Sequence, residues 1–139
     1  MVVKVGTKLE YACRVAIQLA VSHEGDKVIR VEDLASREGI SASFLVQILN
    51  DLKRGGIVVS KRGKMGGYGL ARHPRDITFL DVVEALEGKL LELDAEPGGA
   101  SGKLVVDIWK EVADSMESKL RSHTLESAAL YGGDLEYHI

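Results

Sequence analysis

A single cysteine, Cys13, leaves the chain unable to close an internal disulfide or to assemble a multi-cysteine zinc or iron–sulfur site by itself. Aromatic residues make up only 5% of the sequence, so the core must be aliphatic, drawn from a hydrophobic content of 45%. No apolar run approaches the roughly 18 residues of a membrane span. Met1-Val2-Val3-Lys4-Val5-Gly6 contains no apolar segment followed by a cleavage site. A soluble, cytoplasmic protein is the expectation. The four histidines, His23, His73, His123 and His138, form no metal-ligand pattern, and no serine or cysteine stands in a recognisable nucleophile setting, which argues against an enzyme. With 139 residues, the chain fits one domain, or one domain and an appendage.

Acidic residues are missing from one place in particular. From Lys53 to Arg75 the sequence holds Lys53, Arg54, Lys61, Arg62, Lys64, Arg72 and Arg75 and not one Asp or Glu. Residues 1–75 carry 13 Lys+Arg against 7 Asp+Glu, a balance of +6, and residues 76–139 carry 5 against 14, a balance of −9; together they give the net −3 of the whole chain. The pI of about 5.8 therefore averages two halves of opposite sign, and a polyanion-binding surface belongs to the first half.

The stretch Val31 to Arg72 reads as two short helices and a hairpin. Val31, Leu34, Ala35 and Glu38 outline a short amphipathic helix, and Gly39-Ile40 interrupts it. Ser41 then opens a second helix with Leu45, Ile48, Leu49 and Leu52 on one face. Burying that face leaves Ala42, Ser43, Val46, Gln47, Asn50 and Asp51 outward, where they can meet a DNA groove. Ile57–Ser60 and Tyr68–Ala71 are strand candidates joined by the basic, glycine-rich loop 61–67, so the predicted unit is a helix-turn-helix with a wing.

Before this unit, Thr7-Lys8-Leu9-Glu10 has the form of a capping box, followed by a helix burying Leu9, Ala12, Cys13, Ala16, Ile17 and Ala20. Cys13 falls within that apolar set, where a small buried thiol is the default over a redox sensor. Lys4, Lys8 and Arg14 either touch phosphate at the helix start or are ordinary surface charges. After the wing, Pro74 ends the second strand. Thr78-Phe79-Leu80-Asp81 starts a capped helix with Leu80, Val83, Ala85 and Leu86 inward and Gly88 as its stop. Residues 92–102, acidic and then rich in glycine, read as a linker. From Leu104 to Ser122, Val105, Trp109, Val112, Met116 and Leu120 are spaced by three and four, the pattern of a rod roughly 27 Å long at about 1.5 Å per residue. A stripe on such a rod is covered either by its own domain or by a second copy, and a helix-turn-helix reader gains affinity and half-site spacing from the latter. The predicted fold is mainly α with a small β-hairpin. Its parts are a winged helix-turn-helix over 1–88, a linker over 89–103, and a dimerisation helix and tail over 104–139.

With Ser41-Ala42-Ser43-Phe44-Leu45-Val46-Gln47-Ile48-Leu49, Leu52, Gly56 and Arg62-Gly63-Lys64-Met65-Gly66-Gly67-Tyr68-Gly69-Leu70, the chain resembles the Rrf2 family of bacterial winged-helix transcription regulators. Tyr11-Ala12, Ile77-Thr78, Glu87-Gly88, Trp109 and Thr124-Leu125 extend the likeness over nearly all of it. The resemblance implies a DNA-binding homodimer with swapped long helices, a recognition helix in the major groove and a wing, above all Arg62, in the minor groove. The best-known members hold an iron–sulfur cluster on three cysteines before the long helix. Here Leu90 to Lys103 has none, so no cofactor is expected. Lys64-Met65 replaces a Pro-Gly common in the wing, and Val46 stands where cluster-binding members often place an acid. The wing, Leu125-Glu126 and the aromatic end at Tyr137 and Ile139 look like a cluster-free branch that represses cysteine metabolism, for which the implied partner is cysteine synthase. Tyr137 and Ile139 either dock into that enzyme or fold against their own dimer. The residues assigned to DNA are Lys8, Ser41, Ser43, Phe44, Gln47, Lys61, Arg62 and Lys64. Those assigned to the dimer are Val105, Trp109, Val112, Met116 and Leu120. The alternative is a winged-helix assembly module with no operator of its own.

Overall fold

A computed structural model describes residues 4–24, 27–63, 66–94 and 96–138, with 132–138 described by backbone alone. Helix α1, Thr7–Val21, runs through the middle of the molecule. It buries Leu9, Ala12, Val15, Ala16, Leu19 and Ala20, a stripe as wide as predicted but rotated so that Val15 and Leu19 are inward and Cys13 and Ile17 lie half-buried on its flank. The expected capping box at Thr7 is not formed. Gly6 is the N-cap without a side-chain bond, and Glu10 points forward to Arg14, whose Nη2 donates to it at 2.8 Å.

Helix α2, Val31–Glu38, ends on Gly39 at φ 67°, a left-handed conformation that glycine adopts without the Cβ penalty. Ser41 caps helix α3, Ala42–Arg54, its hydroxyl accepting the Phe44 N–H at 3.3 Å. Leu45, Ile48, Leu49 and Leu52 are wholly buried, as their spacing predicts. Each contributes about 1.5–3 kcal/mol relative to exposure.

Strands β1, Val58–Lys61, and β2, Gly67–Leu70, form an antiparallel hairpin in the register Val58↔Leu70 to Lys61↔Gly67. The strands are displaced by one residue from the sequence expectation, although the Ala71 N–H still bonds the Ile57 carbonyl at 2.9 Å. A further pairing has no signal in the sequence. The Ile29 and Tyr68 backbones exchange two hydrogen bonds of 2.9 and 2.8 Å, so the segment before α2 backs the wing. At Gly67 a Cβ would stand 2.5 Å from the Ile29 carbonyl oxygen, a space that only glycine fits.

A short 3-10 turn, Pro74–Asp76, leads to α4, Phe79–Glu87, which opens on a complete capping box between Thr78 and Asp81. Val82, fully buried, joins the predicted Leu80 and Val83 in the core, while Ala85 and Leu86 are half-buried. The long helix α5, Gly102–Arg121, has 20 residues, about 30 Å. None of its side chains is fully buried. Backbone bonds from Phe79 N–H to the His123 carbonyl and from Leu125 N–H to the Ile77 carbonyl, both 2.9 Å, join its end to the start of α4. Helix α6, Leu125–His138, begins with Leu125 inside the main core and packs on α1. Residues after α5 therefore complete the same core as the winged unit. Among the described residues, no helix is long and apolar enough to cross a membrane.

Candidate nucleic-acid interface

The outward face of α3 follows from what its inward face buries. Ser41, Ala42, Ser43, Val46, Gln47 and Asn50 are exposed, with Ser43 and Gln47 one turn apart and the last turn carrying Lys53 and Arg54. Serine and glutamine hydroxyl and amide groups at this spacing can address base edges or phosphates from the same side of a helix. Phe44 differs from its neighbours. It is half-buried and faces inward, its ring 5.8 Å from that of Tyr11 in an edge-on arrangement.

Lys61 and Arg62 are exposed at the end of β1 and make no ion pair among the described residues. Lys53 ties α3 to β1 by donating to the Ser60 hydroxyl at 3.1 Å. Arg72 is engaged elsewhere, donating to the Asp76 carbonyl at 3.0 Å and lying 3.9 Å from Asp81. Lys64 falls outside the described residues. The wing's charge is thus presented by Lys61 and Arg62, beside the polar face of α3, and a duplex is the ligand whose grooves and backbone suit a polar helix flanked by cations.

Lys8 is occupied in a way the sequence does not disclose: its ammonium lies 2.6 Å from Asp51 of α3, a carboxylate shared with Arg54. Lys8 therefore braces α1 against α3. Arg14 is likewise structural, reaching Glu10, the Glu38 carbonyl and the Tyr11 ring. The Glu10 hydrogen bond, ahead of its charge, holds the guanidinium proton more tightly than usual. Two of these pairings leave a legible signal, the Glu10–Arg14 spacing of four and the Asp51–Arg54 spacing of three. The Cys13 thiol is pushed up to about 11, first by burial and then by the charge of Glu10, which makes it a poor nucleophile at neutral pH.

Away from the wing, α5 exposes a stripe of large apolar side chains. Leu104, Val105, Ile108, Trp109, Val112 and Met116 are between 37% and 64% exposed. Leu104 and Ile108 widen the predicted stripe at one edge. Leu120 instead packs against Leu9, Val83 and Leu90 in a small satellite core. Ile139 and the Tyr137 side chain lie outside the described residues. His23 and His73 meet ring to ring at 5.3 Å, but among the described residues no three His, Cys, Asp or Glu side chains are grouped to hold a metal ion.

Helix, turn, helix and basic hairpin on an aliphatic core define a winged-helix DNA-binding protein. Comparison with known proteins gives its kinship. Residues 5–129 match the family model Rrf2, described as iron-dependent transcriptional regulator, and the chain belongs to the Rrf2 family. A candidate HTH-type transcriptional regulator of Mycobacterium tuberculosis is 36% identical over 141 residues, covering 98% of this chain and 86% of that one. The regulator CymR of Bacillus subtilis is 31% identical over 128 residues, covering 92% and 91%. Its solved structure, described as that of the global cysteine regulator, superposes with a TM-score of 0.80 at 31% identity over 94% of this chain and 98% of the other. The IscR structure of T. potens gives 0.73 at 34% identity over 99% and 92%. The chain is accordingly a DNA-binding transcriptional regulator.

Proposed function

We propose that the chain is a homodimeric repressor that reads a palindrome, with Ser41, Ser43 and Gln47 of α3 in the major groove. Arg62 enters the flanking minor groove, while Lys61 and Lys64 hold phosphates. The observation that carries this reading is the exposure of Lys61 and Arg62, without ion pairs among the described residues, next to an α3 face whose polar side chains are all outward. Dimerisation is supported by the apolar stripe of α5, which remains 37–64% exposed among the described residues. Two copies related by a twofold axis would place their readers about 34–36 Å apart. Selection of random duplexes by the purified protein tests this reading: a palindrome should emerge, and recovery of unrelated sequences would favour the assembly-module alternative.

The family's description names iron, and the donor set here does not fit a resident iron–sulfur cluster. The chain's one thiol, Cys13, is half-buried in α1 and protonated, and residues 89–103 offer neither cysteine nor histidine. The regulator therefore senses without a cluster of the cysteine-ligated kind, and anaerobically purified protein should be colourless. Kinship with CymR, described as a global cysteine regulator, supports a role in cysteine metabolism. Cysteine synthase is the partner implied by the resemblance of the wing and the aromatic end, and it is tested separately. Capture of cysteine synthase by the whole chain, and its loss on deletion of Ile139, is the outcome expected of a tail that docks into the enzyme.

A further inference from the structure

Two side chains of α1 meet the helix-turn-helix at the turn itself. The Arg14 Nη1 donates to the carbonyl of Glu38 at 3.2 Å, the last residue of α2, and lies 3.6 Å from the Glu38 carboxylate. The Arg14 guanidinium also lies 4.4 Å over the Tyr11 ring, which in turn supports Phe44 in the first turn of α3. Glu10 fixes the guanidinium as well, through Nε at 3.1 Å and Nη2 at 2.8 Å. One arginine–tyrosine stack thus touches the end of α2 and, through Phe44, the beginning of α3.

The placement has a mechanical meaning. Leu45, Ile48, Leu49 and Leu52 hold α3 along its buried face, but of residues 41–44 only Phe44 is not exposed. Phe44 is thus the side chain through which this first turn, with Ser43 on it and Gln47 one turn on, rests on Tyr11 of α1. An arginine is suited to the task because its planar fork can bond a carbonyl and a carboxylate while its face stacks on a ring.

We propose that Tyr11 and Arg14 are positioning residues for DNA recognition: their stack sets the angle between α2 and the first turn of α3, and so sequence discrimination, without touching DNA. The inference rests on the reading of α3 as the groove-entering helix. Its test compares Tyr11→Leu, Tyr11→Phe and Arg14→Met with the parent on a duplex selected by the parent and on an unrelated duplex, with thermal unfolding to correct for folded fraction. Tyr11→Leu and Arg14→Met should weaken binding to the selected duplex about tenfold, the scale of one misplaced base contact, and leave the unrelated duplex and the salt slope unchanged. Tyr11→Phe, which keeps the ring, should bind as the parent does.

Three DNA-binding results overturn the proposal: undiminished affinity for the selected duplex in Tyr11→Leu, equal losses on both duplexes, or a salt slope lower by about one in Arg14→Met, which would make Arg14 a phosphate contact. Hydrogen exchange on the DNA-free protein probes the packing independently of DNA. The Phe44 and Leu45 amides should exchange faster in Tyr11→Leu than in Tyr11→Phe while those of 49–53 do not, and unaltered exchange sinks the idea whatever the DNA results. A parent protein that selects no sequence instead removes the groove-entering reading, leaving the exchange comparison to decide the packing claim alone.

Discussion

Replacing Trp109 by alanine should dissociate the proposed dimer, and the size of the effect can be worked from the fold. Trp109 is 46% exposed on α5, so roughly half of its surface is already covered and the rest awaits a partner. Complete burial of a large apolar side chain is worth up to about 3 kcal/mol, so the exposed half contributes about 1.5 kcal/mol in each copy. A twofold axis applies the loss twice, about 3 kcal/mol per dimer, and at about 1.4 kcal/mol per tenfold the dissociation constant should rise about 100-fold. Sedimentation equilibrium over a dilution series measures it. Thermal unfolding under conditions that hold the variant monomeric separates a lost interface from a damaged fold. A dissociation constant that stays within about threefold of the parent's would refute the assignment of this face to a second copy.

Arg62→Ala should weaken binding to a selected operator by about 1–3 kcal/mol, seen by gel shift at physiological salt. Lys61→Ala should lower the slope of log affinity against log salt by about one while leaving sequence preference intact. Cys13, with its thiol pushed up from 9.0 to about 11, should react with iodoacetamide at pH 8 about 100-fold more slowly in the folded than in the urea-unfolded chain. Because the folded state holds this proton more tightly, its share of stability is complete below about pH 9 and is lost as pH rises from 9.0 toward 11, an alkaline fall in stability that Cys13→Ala should reduce. Gly67→Ala would press a methyl against the Ile29 carbonyl, 2.5 Å from an ideal Cβ, and should cost about 1–3 kcal/mol in urea unfolding while disturbing the wing.

Local chemistry carries the reading of the helix-turn-helix. The Ser41 start, the break at Gly39 and the spacing of Leu45, Ile48, Leu49 and Leu52 act within a few residues of one another, and the structure forms each as expected, with Gly39 left-handed. The Thr78–Asp81 box is legible for the same reason. Thr7 shows the limit: its box needs Glu10, and Arg14 one turn onward competes for the same carboxylate. Long-range partners leave no local trace. The pairing of Ile29 with Tyr68, the bridge from Lys8 to Asp51 and the path of Arg14 to Glu38 all join segments distant in sequence. Periodicity on α5 correctly announces an apolar face but not what covers it, which is why it groups Leu120 with a stripe that residue does not share and leaves out Leu104 and Ile108.

The two backbone bonds that tie residues 123 and 125 to residues 79 and 77 moor the C-terminal end of α5. A beam of about 30 Å fixed in this way behaves as a pointer: a swing of about 5° at the mooring shifts its far tip by about 2.6 Å. Traffic runs in both directions along it. Whatever grips the tip near Leu104 exerts torque on the opening turn of α4, and with Leu125 sunk among the aliphatic side chains under α1, that torque has a direct route to the reading head.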